Sequence, residues 1–182
     1  MKFFITLFWL ISIVIIVSLL AWWYLWGFKN LVAFEVVMGP YTVAYVDHVG
    51  DYTSLWEPMQ DLYDVLSGQN ISSDMWIWIF YDDPSVVATG ELRSEGGVII
   101  EKEDFQKLDL NSEDYKVKNL DKTNYAVITF PLKNVVSYVV WAKRAYPILW
   151  KYLEDNGYSL EVVWMEMYDM QNKMIYYMAE TK

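Results

Sequence analysis

The sequence contains no cysteine and a single histidine. The first absence excludes disulfides, thiolate chemistry and cysteine-ligated zinc. The one histidine, His48, has no serine or second histidine at triad or metal-ligand spacing, so a hydrogen-bonded structural role is expected for it. Asp82-Asp83-Pro84 offers two carboxylates, but a turn uses the same residues and no third ligand is placed by spacing, so no metal site is expected. No phosphate-cradling glycine loop, H-E-x-x-H or G-x-S-x-G occurs. No catalytic residue and no cofactor is therefore assigned.

Basic residues are also scarce, 14 Lys and Arg against 24 Asp and Glu. Residues 1–30 hold two of the basic residues, Lys2 and Lys29, and none of the acids, which leaves residues 31–182 a formal charge of −12. Such a surface repels phosphate backbones and anionic headgroups. No nucleic-acid partner is therefore expected, and cationic or neutral ligands are favoured.

What the sequence has in excess is apolar: 55% hydrophobic and 18% aromatic residues. Much of it is at the start. From Phe3 to Phe28 no residue is charged, and a helix of that length spans roughly 39 Å against the ~30 Å of a hydrocarbon core. Trp22, Trp23, Tyr24 and Trp26 crowd its end, where amphipathic rings favour the membrane interface. A cleaved signal peptide would have an apolar region of about 7–15 residues and a small-x-small site. Here Leu19 stands two positions before Ala21, and bulky Trp22 and Trp23 follow. The expectation is an uncleaved single-pass anchor over residues 1–30, in the membrane through residues 3–28, followed by one domain over 31–182. The amino terminus and Lys2 against Lys29 lean towards an internal N-terminus and an external domain. Asn70-Ile71-Ser72 fits a glycosylation sequon, relevant only in a eukaryotic secretory lumen.

Beyond the anchor, Val32–Pro40 is an apolar lead-in ending in a Gly39-Pro40 turn, and Thr42–Val49 is strand-like. Tyr52–Ser67 is helical, with Leu55, Met59, Leu62 and Leu66 at spacings of three and four, and with Ser54 and Glu57 as a capping box. Met75–Tyr81 is a buried strand; Val86–Leu92 reads as the next, with Gly96-Gly97 separating it from Val98–Ile100. Glu101–Lys122 is a polar connector with a short strand around Tyr115–Val117. Tyr125–Phe130 is a strand. Val136–Asp155 is the longest helix, with Val136, Val139, Val140, Leu149 and Leu153 as its core stripe and a kink or split at Pro147. Val162–Tyr168 and Met174–Met178 form a final hairpin. The order strand–helix–strand–strand thus occurs twice. Two joined halves predict an α+β fold with one antiparallel sheet and both helices on one face. Aligning the halves sets Ile79 against Glu166 and Tyr81 against Tyr168.

His48-Val49-Gly50-Asp51-Tyr52, Phe80-Tyr81-Asp82-Asp83-Pro84, Ala142-Lys143-Arg144-Ala145-Tyr146-Pro147 and Met165-Glu166-Met167-Tyr168, in this order, resemble the GyrI-like domain, also called the SOUL or effector-binding type. The resemblance spans roughly Val36 to Glu180 and implies a small-molecule-binding fold. A further likeness, on Leu92–Gly96 and Phe130-Pro131-Leu132, is to the mammalian testis-expressed receptor for autophagy of the endoplasmic reticulum, in which one membrane helix also precedes such a domain. That receptor's disordered adaptor-binding tail and the regulators' DNA-binding region have no counterpart in this sequence, so neither role is expected to transfer.

Glu166 is the most informative position, a carboxylate within an apolar strand. Alternation puts Trp164, Glu166 and Tyr168 on one face and Met165 and Met167 on the other. The Met face is expected to pack against the helices, leaving the Glu166 face as an open aromatic groove for a cationic, planar ligand. The resemblance implies the same role for Glu166, which in GyrI-like drug sensors falls to a glutamate on the matching strand. Tyr81 and Tyr45 are candidate walls. A partly solvated edge-strand Glu166, or one paired with Lys173, is the structural alternative, while Trp76, Trp78, Trp141, Tyr146 and Trp150 read as core or interface residues. The leading functional expectation is a membrane-anchored module binding amphipathic or cationic small molecules. Alternatives are a protein-interaction platform and a hydrolase of electrophilic molecules, with Glu166 as general base.

Overall fold

The uncharged run at the start becomes α1 (Lys2–Tyr24). The structure, a computed structural model, describes residues 2–24, 30–132 and 135–181, and the side chains of 4–21, 30–132 and 142–181. The chain divides into two compact units, Met1–Leu31 and Val32–Lys182. In the first, Phe4–Ala21 has a mean hydropathy of 2.8 and is long enough to cross a bilayer, a test of length and composition that a signal sequence also passes. The side chains of Trp22, Trp23 and Tyr24, and all of Trp26, Phe28 and Lys29, lie outside the described residues.

The second unit is built on one sheet of β1 (Phe34–Met38), β2 (Tyr41–Val49), β3 (Met75–Phe80), β4 (Arg93–Ile100), β5 (Lys116–Leu120), β6 (Thr123–Pro131), β7 (Trp164–Asp169) and β8 (Met174–Glu180). The strand order is β1-β6-β8-β7-β3-β4-β2-β5, and every pairing is antiparallel. The expected duplication is present, and the halves meet where β3 pairs with β7. They also interlock. β1, the lead-in of the first half, flanks β6 of the second, and β5, from the polar connector, flanks β2 of the first.

α2 (Trp56–Gly68) buries the stripe its spacing predicts, Met59, Leu62 and Leu66. A short 3-10 turn, Tyr52–Leu55, leads into it and buries Leu55. Its start is capped by Asp51, whose side chain accepts from the Thr53 amide at 2.8 Å, rather than by the expected Ser54–Glu57 box. α3 (Val135–Asp155) runs through Pro147 as one helix, so of the expected kink or split the split does not occur. It buries Ala145, Leu149 and Leu153; the side chains of Val136, Val139, Val140 and Trp141 are outside those described.

The strand expected at Val86–Leu92 is instead loop and a 3-10 turn at Thr89–Glu91, with Val86 largely exposed. The strand lies further on, as β4, and passes straight through Gly96-Gly97. The pair does not break the strand because each glycine sits under a close neighbour. A β carbon at Gly96 would come within 2.4 Å of Met59 Sδ on α2, and one at Gly97 within 2.8 Å of the Ala44 carbonyl oxygen on β2.

Both faces of the sheet are apolar. One joins Ala44, Val98 and Ile100 to the α2 stripe, with Leu108 and Tyr115 of the connector. The other gathers Val43 of β2, Ile77 and Ile79 of β3, Met165 and Met167 of β7 and Val127 of β6 into one cluster. β2 and β6 are separated by four strands in the sheet order, so the sheet is curled around this second cluster. Both helices pack on the outer face, because Trp76 and Trp78 pack on the α2 cluster and Tyr146 of α3 meets Tyr177, whose position lies opposite Glu166, itself opposite Trp78.

Candidate functional site

Strand pairing sets three rows across the middle of the outer face: Phe80 opposite Trp164, Trp78 opposite Glu166, and Trp76 opposite Tyr168. The helices flank these rows and leave between them a cleft of about 660 Å³, within the range of small-molecule sites. Its floor is Trp78, Phe80, Trp164, Glu166 and Tyr168; its walls are Tyr52 and Thr53 on one side and Ala142, Tyr146, Pro147 and Trp150 on the other. Asp82, Asp83 and Pro84 form the rim.

Glu166 is 6% exposed. The expectation that its face is opposite the helices is corrected. Met165 and Met167 belong to the inner cluster, and Glu166 faces α3. Tyr146 donates to its Oε1 at 2.5 Å, and Tyr168 donates to Oε2. No ion pair to it occurs among the described residues; β7 is an interior strand, and the Lys173 pairing is not formed. Burial raises the Glu166 carboxyl above its ordinary value, and the two tyrosine hydrogen bonds pull the other way. Tyr146 and Tyr168 are pushed well up, first by burial and then by the charge of Glu166, so both remain neutral donors.

Aromatic rings surround the carboxylate. Trp150 stacks on Trp164 at 6.2 Å between centroids, Tyr146 meets Trp164 edge-on at 5.3 Å, and Trp78 meets Tyr168 at 5.4 Å. At the rim Arg93 grips Asp82 with a fork of two bonds, 2.9 and 2.7 Å, while its backbone amide also donates to that carboxylate. Tyr52 donates to the Asp82 carbonyl at 2.7 Å, tying the helix start to the loop. Arg93 holds the Asp82 carboxyl below its ordinary value, and hydrogen bonds from Ser85 do the same for Asp83.

Three of the expected site residues, Trp164, Glu166 and Tyr168, therefore come together. Tyr45 and Tyr81 do not. Tyr45 packs on the inner cluster beneath the Lys118 ammonium, 4.6 Å from its ring. Tyr81 is set beside Lys118 and Glu95, which pair with each other. The cause is parity: Ile79 lies opposite Met165, on the inner face, so it cannot be the symmetric mate of Glu166, and Tyr81 cannot be that of Tyr168. Tyr146, Trp78 and Trp150, read as core or interface, line the cleft instead. His48 does have a serine neighbour, since Ser54 Oγ is 3.0 Å from Nε2. Nε2 is also 3.1 Å from the Asp51 carbonyl, to which Ser54 donates at 2.6 Å, so both side chains secure the helix start. Among the described residues no cluster of three metal-ligating side chains occurs.

A duplicated strand–helix–strand–strand sheet with both helices on one face and a cleft between them defines the class of α+β domain. Residues 35–178 match the GyrI-like small molecule binding domain, and the chain belongs to that family. The C-terminal domain of EcmrR superposes with a TM-score of 0.59 at 14% identity, covering 85% of this chain and 99% of that one. SAV2435 bound to tetraphenylphosphonium gives 0.52 at 10% identity, over 83% and 94%. A hydrolase from Listeria innocua gives 0.51 at 9% identity, over 82% and 91%. At such identities these likenesses concern the fold. EcmrR is also known in complex with DNA, and there the match covers 58% of that chain. No curated protein matches this chain, and no likeness to the autophagy receptor is found.

Proposed function

We propose that the domain binds amphipathic organic cations in the cleft around Glu166, and that α1 anchors it to a membrane. The observation that carries the reading is a carboxylate 6% exposed whose hydrogen-bond partners are two neutral tyrosines. A buried carboxylate without a counter-charge is costly, and a cation entering the cleft supplies one. The surrounding rings add cation–π attraction and apolar contact. The bound tetraphenylphosphonium of SAV2435 is a molecule of this kind. A hydrolytic role would use Glu166 as general base, and a protein-interaction role would need no small ligand in the cleft.

The test is a pair of ions of equal shape. Tetraphenylphosphonium should quench the tryptophan fluorescence of the protein and raise its melting temperature, while tetraphenylborate should do neither. Equal binding of both ions would defeat the proposal. The anchor has its own measurement: full-length protein should stay in the membrane pellet after carbonate extraction. A soluble, shortened product would favour a cleaved signal peptide.

A further inference from the structure

We infer that the Glu166 cleft is one half of a longer site, whose second half is a shelf of Trp56, Trp76 and Tyr63 that takes a second ring of an elongated organic cation. The inference deepens the cleft reading and rests on it. Trp78 joins the two halves. On one side it meets Tyr168 in the cleft at 5.4 Å, and on the other it meets Trp56 at 6.4 Å. Trp76 precedes Trp78 by two residues on β3 and shares its face, about 7 Å away along the strand, and Trp56 leans over it at 5.7 Å. Tyr63 closes the far side of Trp76 at 5.6 Å.

The helix continues the same line. Tyr52 and Thr53 line the cleft, and Trp56 stands one turn beyond them at helical spacing. Trp56 is 49% exposed although it touches two other tryptophans. A lone exposed ring needs no explanation, but a run of rings continuous with a cleft is a contact surface. The charge fits the same occupant: α2 carries Glu57, Asp61 and Asp64 and no lysine or arginine, so a cation is favoured along the whole length.

The test compares benzyltrimethylammonium with a homologue carrying a second phenyl ring on a two-carbon tether. Both are titrated by fluorescence into full-length protein in zwitterionic nanodiscs, with empty discs subtracted. Wild type should favour the two-ring cation by about tenfold, the value of one well-seated aromatic contact. Trp56→Ala should bring that ratio close to one, and Trp56→Phe should restore part of it, which separates ring loss from misfolding. A ratio that persists in Trp56→Ala overturns the shelf. Glu166→Gln tells the two readings apart: if it weakens the one-ring cation while the ratio survives Trp56→Ala, only the shelf fails. If Glu166→Gln leaves the one-ring cation unaffected, the cleft reading fails and the shelf with it.

Discussion

Glu166→Gln should weaken the binding of an aromatic cation by about 1–3 kcal/mol, the usual range for a charge-assisted contact, and should leave the domain at least as stable at neutral pH. The amide keeps the shape. Its oxygen accepts from one of Tyr146 and Tyr168, and its nitrogen donates to the other hydroxyl, whose lone pairs are available once it turns. What disappears is the charge, and with it the desolvation cost of a buried carboxylate.

The pH dependence separates this from a general loss of structure. Burial raises the folded Glu166 carboxyl above its ordinary value of 4.5, so the folded state holds this proton more tightly than the unfolded chain does. The stability that results is complete below 4.5 and is lost as pH rises through the raised value. Glutamine never ionises, so the melting-temperature advantage of the mutant should open above that window and vanish below it. Cation affinity should run the other way, rising with pH in the wild type as the carboxylate ionises and staying flat in the mutant. Calorimetric melting and dye titration across the acid range measure both. A mutant that binds the cation as tightly as the wild type removes Glu166 from the site, and one that unfolds makes the carboxylate a structural keystone of the tyrosine pair.

The sequence made elements legible where a single period operated. The stripe from Leu55 in the leading turn to Leu66 on α2 is buried as its spacing predicts, and the final hairpin falls where alternation and turn residues place it. Alternation also separated Glu166 from Met165 and Met167 correctly. It could not say which face meets the helices, because a curled sheet has two apolar faces and the methionines suit either. Tyr81 was misplaced by a one-residue offset in the alignment of the halves, which along a strand reverses the face; Tyr45 shares the inner face of β2 with Val43, away from the cleft. Gly96-Gly97 looked like a break because local propensity does not register a helix and a neighbouring strand pressing on the chain from opposite sides. Most of the cleft lining was missed: Tyr146 read as core or interface, and Tyr52, Phe80 and Pro147 carried the family resemblance without being assigned a place in the site. Taken alone, each was an ordinary aromatic residue or a helix-breaking proline.

The two glycines give the second large expected effect, and it differs between them. Gly97→Ala should cost about 1–3 kcal/mol, as overpacking does in a tight interior, and a domain of this size loses roughly 2–4 °C of melting temperature per kcal/mol. Gly96→Ala should cost less, although its β carbon would meet Met59 Sδ at 2.4 Å and Cγ at 2.6 Å. The difference lies in what must move. Methionine has three rotatable bonds and re-packs readily, so α2 absorbs the methyl group by turning one side chain. At Gly97 the β carbon would lie 2.8 Å from the Ala44 carbonyl oxygen and 2.6 Å from Val43 Cγ1. Relief there means moving β2 away from β4, against a ladder that pairs them from Thr42–Ile100 to Val49–Arg93. The readout also distinguishes the faces. Gly97 bears on the inner side of the curl, so Gly97→Ala should lower the melting temperature while the folded protein keeps its cation affinity. Turning Met59 does not relieve the third contact at Gly96, Leu55 Cδ1 at 3.2 Å; the turn of Leu55 carries Tyr52 and Thr53 of the cleft wall, so its displacement in Gly96→Ala should weaken the cation with little loss of stability. Thermal melts and dye titrations of the two variants should therefore rank them in opposite orders, and the same order in both would mean that the sheet curl and the cleft are not separable.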